Sequence, residues 1–506
     1  MNITADSFAQ DSTSSLAFRE NRPRRPTIFY YQPDLSYQIW QQFKLIREAN
    51  SGDPLAMHEL GIRYLIGEGF TADTVKAAEW IGKAANKRLT AAEYNYGLLL
   101  NNGWGVDWNP FLAYDYFHDA ATAGMPQAEY IFGILNTNSL IVNTNWDLAF
   151  KWLKKASDGG FKPAEDVLPE IIKKISPQLR DSIQNASSIP GTTKPETKFD
   201  EDPSITSNLG LVFIDFNSNT DSIPVITNKQ ILESILRNSN QTLSDTLGID
   251  EKNDTLFTIT DNALDYVIKS ADAGNPEALT LIGRLYETGT HYKKNLLSAS
   301  FYYVRATILD SPLAPALLWN ISKSPDYFNN LKSIVDKNNP EAMYVWYGLY
   351  ILGFDRQFTD GDALNLLTKA ASLNNTQAMV ELGLVYYTGK ITREDKSKAL
   401  NIWRNAAQLG NSEGKIRLAA ADLLDNKNSR NIREPLQILF NAEDLGSVLA
   451  QVALAYCYEN AIGVSKSKPA AVKYYRLASQ RGSRFAYNEL KRLYNEIRPP
   501  SFKASN

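Results

Sequence analysis

Side chains that commonly perform catalysis or bind metals are scarce in this chain of 506 residues. It has three histidines, His58, His118 and His291, and one cysteine, Cys457. A structural zinc site uses four His or Cys ligands at short spacing, and a disulfide needs a second cysteine. None of the histidines has such a neighbour, so the sequence predicts no metal, no cofactor and no enzymatic activity.

Two local patterns resemble ligand-binding loops but lack their defining residues. Asp200, Glu201 and Asp202 are consecutive acids, whereas a calcium loop alternates its oxygen ligands and places a glycine among them. Gly67-Glu68-Gly69 follows no predicted strand, as a nucleotide-binding glycine loop would. We interpret the first as part of a solvated linker and the second as a turn between helices.

The overall charge indicates no strongly charged partner. The chain has 53 Lys and Arg against 56 Asp and Glu, a net charge of -3, which does not favour nucleic acid as a partner. No apolar run reaches the ~18 residues that suggest a transmembrane helix, and no basic stretch followed by an apolar one suggests a secretory signal. With a single cysteine, these features predict a cytoplasmic protein.

The elements that would position any site follow a period of 36 residues. Small residues recur at this spacing in two series. The first is Ala56, Ala92, Ala128 and Ala164, and the second is Ala342, Ala378, Gly414, Ala450 and Ala486. Glycine follows five residues later at Gly61, Gly97, Gly133, Gly283 and Gly383. A fixed period of this length indicates a repeat protein.

Each repeat is predicted to form two helices. The first begins at an Asn or Asp followed by Pro, as at Asp53-Pro54, and ends at a glycine turn. Asp73 and Asp395 stand where the second helix would be capped. A glycine inside the first helix costs ~1 kcal/mol relative to alanine, so its recurrence predicts close packing against a neighbour. The second helix carries an aromatic residue between two alanines, at Trp80, Tyr116, Trp152, Tyr302 and Tyr474.

This pattern resembles the Sel-one-like repeat, a relative of the tetratricopeptide repeat, over about three-quarters of the chain. Residues 56–86, 92–124 and 378–410 match it well. The resemblance implies an all-α, right-handed α-solenoid of antiparallel helix pairs whose first helices line a concave face. It also implies an adaptor or scaffold that binds other proteins, and it carries no catalytic residues.

The phase of the repeat predicts the domain organisation. We expect a disordered tail at 1–34, repeat blocks at 35–168 and 242–496, and a C-terminal tail at 497–506. Between the blocks lies a linker and insertion, 169–241, whose residues 209–240 suggest a small strand-helix element. Pro169 is expected to break the repeat that starts at Ala164, and the interval from Ala314 to Ala342 is only 28 residues, which predicts a shortened repeat.

By comparison with tetratricopeptide repeats, the second residue after each repeat origin faces the concave groove. This position holds His58, Tyr94, Tyr130 and Tyr344, and a position two helical turns further along holds Asn101 and Tyr387. Rigid tyrosine rings would suit peptide binding, although they could equally pack between neighbouring repeats.

The sequence therefore predicts a non-catalytic scaffold that binds a peptide or a protein surface along the concave face. The alternative is a regulatory subunit that controls an enzyme or signalling partner through residues 209–240.

Overall fold

A computed structural model describes residues 35–186, 228–236, 259, 261–324, 326–355, 358–425, 432–500 and 502. The predicted tail at 1–34 and the strand part of the predicted insertion, 209–227, lie outside the described residues.

The described residues form 24 α-helices and no strand, which confirms the predicted all-α solenoid of antiparallel helix pairs. The helices before the insertion are α1 (Leu35–Ser51), α2 (Pro54–Ile66), α3 (Thr74–Ala85), α4 (Thr90–Asn102), α5 (Pro110–Thr122), α6 (Pro126–Leu135), α7 (Trp146–Asp158), α8 (Lys162–Ile172) and α9 (Pro177–Ala186). Those that follow are α10 (Asn228–Leu236), α11 (Asp261–Asp272), α12 (Pro276–Thr288), α13 (Leu296–Ile308), α14 (Ala314–Ser322), α15 (Tyr327–Asp336) and α16 (Pro340–Ile351). The last are α17 (Asp360–Ser372), α18 (Thr376–Thr388), α19 (Lys396–Gln408), α20 (Ser412–Asp425), α21 (Arg433–Asp444), α22 (Val448–Asn460), α23 (Lys468–Gln480) and α24 (Arg484–Ile497).

The chain divides into two compact units. Unit 1 comprises residues 1–214 together with 490–506, and unit 2 comprises residues 215–489. The domain boundaries predicted from the repeat phase stay predictions.

Helix ends follow the predicted capping residues. The Asp73 carboxylate accepts hydrogen bonds from the backbone N–H groups of Val75 and Lys76, and Asp395 accepts one from Lys398. Four of the described first helices end at a glycine in the left-handed region, as α2 does at Gly67 with φ of 72°. These contacts satisfy backbone groups that a helix end leaves unpaired.

The recurrent glycine of the first helix packs against the second helix of its own repeat. A β-carbon built on Gly97 would lie 2.8 Å from the Phe117 ring, and one built on Gly283 would lie 2.5 Å from the Tyr303 ring. In both pairs the ring comes 20 residues after the glycine. The predicted close packing of the glycine is therefore confirmed. The ring that the glycine contacts comes one residue after the predicted aromatic position, which is Tyr116 or Tyr302 in these repeats.

The irregular repeats keep the helix-pair architecture. Both helices of the repeat that starts at Ala314 are short, with 9 residues in α14 and 10 in α15. The prediction that Pro169 breaks its repeat is wrong, because α8 continues through Pro169 to Ile172. Its apolar face packs Leu168 and Ile171 into a core with Leu153, and we attribute the continuity of the helix to this burial.

Helix α10 is the described part of the predicted strand-helix element at 209–240. Its side chains Ile231, Leu232 and Ile235 are buried in the core of unit 2. The predicted helix at this place is thus present, and its apolar face packs on the repeats.

The first and last repeats of unit 2 contact each other. The Tyr266 hydroxyl donates to the carbonyl oxygen of Asp444 at 3.1 Å, and the Asn275 amide donates to that of Leu445 at 3.1 Å. The buried Arg481 also forms an ion pair with Glu277. The solenoid of unit 2 therefore curves far enough to join its own ends.

Candidate protein-interaction surfaces

His58 connects two consecutive first helices of unit 1. It lies on α2, is buried, and its Nε2 is 2.7 Å from Nδ2 of Asn95 on α4. His58 thus links two repeats through a hydrogen bond with Asn95.

Tyr94 and Asn101 also lie on α4 and are buried. The Tyr94 ring packs edge-to-face on Phe117 with centroids 6.0 Å apart, and burial raises the pKa of its hydroxyl. Neither side-chain polar atom of Asn101 has a hydrogen-bond partner among the described residues, although its backbone carbonyl accepts from the Trp108 indole at 3.2 Å. These two side chains are enclosed by their own unit.

Tyr130 is the more accessible of the tyrosines predicted in unit 1. It lies on α6, is half-buried, and its ring packs on Phe161 with centroids 5.3 Å apart.

In unit 2 the two predicted tyrosines, Tyr344 and Tyr387, also differ in how far they are buried. Tyr344 on α16 is fully buried beside Phe301, with no hydrogen-bond partner for its hydroxyl among the described residues. Tyr387 at the end of α18 is half-buried, and its ring lies on Trp403 with centroids 5.2 Å apart. The Lys396 ammonium lies 5.2 Å from the centroid of the Tyr387 ring.

The six predicted residues therefore fall into two sets, four in unit 1 and two in unit 2. Tyr130 and Tyr387 are half-buried, whereas the other four are buried. The Tyr94 and Tyr387 rings pack on the second helix of their own repeat, and the Tyr344 ring contacts Phe301 of another repeat. A binding role for any of the six stays a prediction.

A buried ionic cluster in unit 2 was not predicted from the sequence. The Glu413 carboxylate lies 2.9 Å from the Arg417 guanidinium and 3.6 Å from that of Arg305, and it accepts a hydrogen bond from the Gln377 amide at 2.8 Å. Burial opposes ionisation of Glu413, but the two arginines hold its pKa below its ordinary value. This carboxylate is therefore an ion-pair partner at the junction of α13, α18 and α20.

Glu381, on α18 of the same cluster, behaves in the opposite way. Desolvation by burial, together with repulsion from Glu413, raises its pKa to about 7. Attraction to the Arg417 and Arg305 guanidinium groups offsets only part of this increase. One of its oxygens, Oε1, has no hydrogen-bond partner within the described ranges. Only the spacing of Glu413 and Arg417, four residues apart on one helix, could have indicated this cluster from the sequence.

The described residues lack two kinds of feature. They contain no helix long and apolar enough to cross a membrane. They also contain no group of three or more His, Cys, Asp or Glu side chains placed to hold a metal ion.

Comparison with known proteins identifies the repeats. Six segments match the Sel1 repeat: residues 54–88, 90–125, 138–161, 276–310, 376–411 and 448–483. The chain belongs to the Sel1 repeat family. Five of these segments each span a helix pair, such as α2 with α3 and α12 with α13, whereas segment 138–161 contains only α7. None of the six covers the shortened repeat at Ala314.

Two solved structures are similar to this chain. One is a protective antigen present in uropathogenic Escherichia coli strains that displays an SLR fold, 20% identical over 91% of each chain, with a TM-score of 0.31. The other is a Sel1 repeat protein from Oxalobacter formigenes, 32% identical over 26% of this chain and 98% of its own, with a TM-score of 0.25. No curated protein gives a significant match. Sel1 repeat proteins generally act as protein-interaction scaffolds and are typically not catalytic.

Proposed function

We propose that this protein is a non-catalytic scaffold that binds a peptide or protein surface along the first helices of its Sel1 repeats. The observation that carries the proposal is the environment of Tyr387. Its partly exposed ring is held against Trp403 and lies beside the Lys396 ammonium. A ring fixed in this way loses little conformational freedom on binding, which is a property of residues that dominate interfaces.

The accessible tyrosines should contribute more to binding than the buried ones. Tyr387 and Tyr130 are half-buried, whereas Tyr94 and Tyr344 are buried and support the packing between helices. Lys396 adds a positive charge beside Tyr387, so we expect its preferred peptides to contain an acidic residue close to an apolar one.

The test is selection of peptides on the immobilised full chain from a random library, followed by calorimetric titration. Tyr387→Ala should weaken the selected peptides by tenfold or more, which corresponds to ~1.4 kcal/mol. Tyr386→Ala is the matched control, because Tyr386 is a half-buried tyrosine on the same helix that points about 100° away and accepts a hydrogen bond from Lys398. Equal affinity for the wild type and Tyr387→Ala would contradict the assignment of this surface.

A cytoplasmic location belongs to the same proposal. The single cysteine, Cys457, is buried, and burial raises the pKa of its thiol to about 11, so it is a poor nucleophile at neutral pH. A protein of this size without disulfides is compatible with a reducing compartment. Regulation through residues 209–240 stays a prediction.

A further inference from the structure

Within unit 1, a late segment of the chain packs against the second repeat. We name residues 490–500 together with Phe502 the return segment. Its side chains Leu490, Leu493 and Tyr494 are buried, whereas Pro499 and Pro500 are exposed. The segment therefore contacts the repeats through some of its side chains and exposes others.

Aromatic rings form the first part of this contact. The Tyr494 ring packs edge-to-face on Trp108, with centroids 5.1 Å apart. Phe502 packs on Phe111 at 4.9 Å and on Tyr114 at 6.1 Å, again edge-to-face. We name the receiving residues Trp108, Phe111 and Tyr114 the aromatic groove, and edge-to-face pairs of this kind favour one orientation of the bound ring.

Arg498 forms the second part of the contact, between the two aromatic residues of the segment. The carbon of its guanidinium lies 4.9 Å from the centroid of the Phe111 ring. The same guanidinium donates hydrogen bonds to the backbone carbonyls of Leu140, at 2.6 Å, and Ile141. The planar fork of an arginine is suited to this combination of stacking and two parallel hydrogen bonds, and a lysine is not.

The three contacting side chains are evenly spaced, with Arg498 four residues after Tyr494 and Phe502 four after Arg498. The groove residues and carbonyl groups that they contact lie on α5, in the loop before it and in the loop after α6. The groove thus recognises a short linear pattern of an arginine between two aromatic residues, which is how peptide-binding modules read their ligands.

We propose that the aromatic groove of unit 1 is a binding site for protein segments that carry an arginine flanked by aromatic residues, and that the return segment occupies it as an intramolecular competitor. A partner segment of the same chemistry binds by displacing the return segment. This surface includes neither Tyr130 nor Tyr387, so it is tested without changing either of them.

The experiment measures binding of a fluorescein-labelled peptide, residues 490–506 of this sequence, to the full chain by fluorescence anisotropy. The doubly substituted chain R498A/F502A should bind it at least tenfold more tightly than the wild type, whose groove is filled. The control chain Lys491→Ala, changed at an exposed residue of the same helix, should behave as the wild type does. A control peptide with Arg498→Ala and Phe502→Ala should bind at least tenfold more weakly to the substituted chain.

Two results would overturn the proposal. The first is a chain R498A/F502A that retains its helical circular dichroism and yet binds the peptide no better than the wild type. The second is a wild-type dimer in light scattering that disappears in R498A/F502A, because a second copy would then supply the segment.

Hydrogen exchange of the wild-type chain decides the matter if R498A/F502A does not fold. A displaceable segment opens locally, so the amides of residues 490–498 should exchange at least tenfold faster than those of α5. Equal protection of the two would show that the return segment is a permanent part of the core and would overturn the proposal.

Discussion

Replacing Glu381 by glutamine should stabilise unit 2 at alkaline pH and have little effect in acid. Folding raises the pKa of this carboxyl from an ordinary 4.5 to about 7, mainly through burial. Between these two values the folded chain holds a proton that the unfolded chain has lost. The contribution of Glu381 to stability is therefore fully present below about pH 4.5 and is lost as the pH rises through about 7.

The size of the effect follows from the two pKa values. Each pKa unit corresponds to ~1.4 kcal/mol, so an ionised Glu381 lowers the free energy of unfolding by roughly 3 kcal/mol above pH 7. Glutamine has nearly the same shape and does not ionise. The variant E381Q should thus gain ~2–3 kcal/mol relative to the wild type between pH 5 and pH 8.

Urea unfolding followed by circular dichroism at both pH values measures this difference. Val385→Ala, at a buried apolar residue of the same helix, is the control, because it lowers stability without changing the number of bound protons. A similar loss of stability in E381Q at pH 5 and pH 8 would refute the reasoning. It would show that the carboxylate is ionised in the folded chain and is balanced by Arg417.

Two further predictions concern the repeat itself. Gly383→Ala places a β-carbon 2.2 Å from the Trp403 indole nitrogen. This variant should lower the free energy of unfolding by ~1–3 kcal/mol, as measured by urea titration. The control is Gly361→Ala, whose β-carbon has its nearest neighbouring atom 3.7 Å away and which should be neutral or stabilise by up to ~1 kcal/mol. A comparable loss in both variants would contradict the packing explanation. Asp73→Ala removes a helix cap and should lower the free energy of unfolding by ~1 kcal/mol. Asp73→Asn should retain most of the stability, because asparagine also caps helices. An equal decrease in the thermal unfolding temperature of both variants would assign the effect to the charge of Asp73 instead.

The fold was predictable because local and long-range signals agree in each repeat. Asp73 and Gly67 are capping residues in both sequence and structure, and Gly97 indicated the close contact between helices. The prediction at Pro169 was wrong for a physical reason. Proline disrupts an isolated helix, and the prediction considered only this local effect. Burial of the apolar face of α8 supplies a stabilisation that local propensity does not include.

The candidate site was less predictable, because a repeat position does not determine burial. Tyr130 and Tyr344 occupy the same position of their repeats, yet the first is half-buried and the second is fully enclosed. The difference depends on which side chains the neighbouring repeats supply. The cluster around Glu413 and the groove around Phe111 depend on residues that are far apart in the sequence, so periodicity gives no information about them.

The contact between the first and last repeats of unit 2 has a consequence for how this unit unfolds and evolves. An open array loses repeats one at a time from its ends, and it tolerates the gain or loss of a repeat. In unit 2, opening either end breaks the bonds of Tyr266, Asn275 and Glu277 to the opposite end. Unit 2 should therefore unfold in one cooperative step. Inserting or deleting a single repeat within it should be far more destructive than the same change in an array whose ends are free.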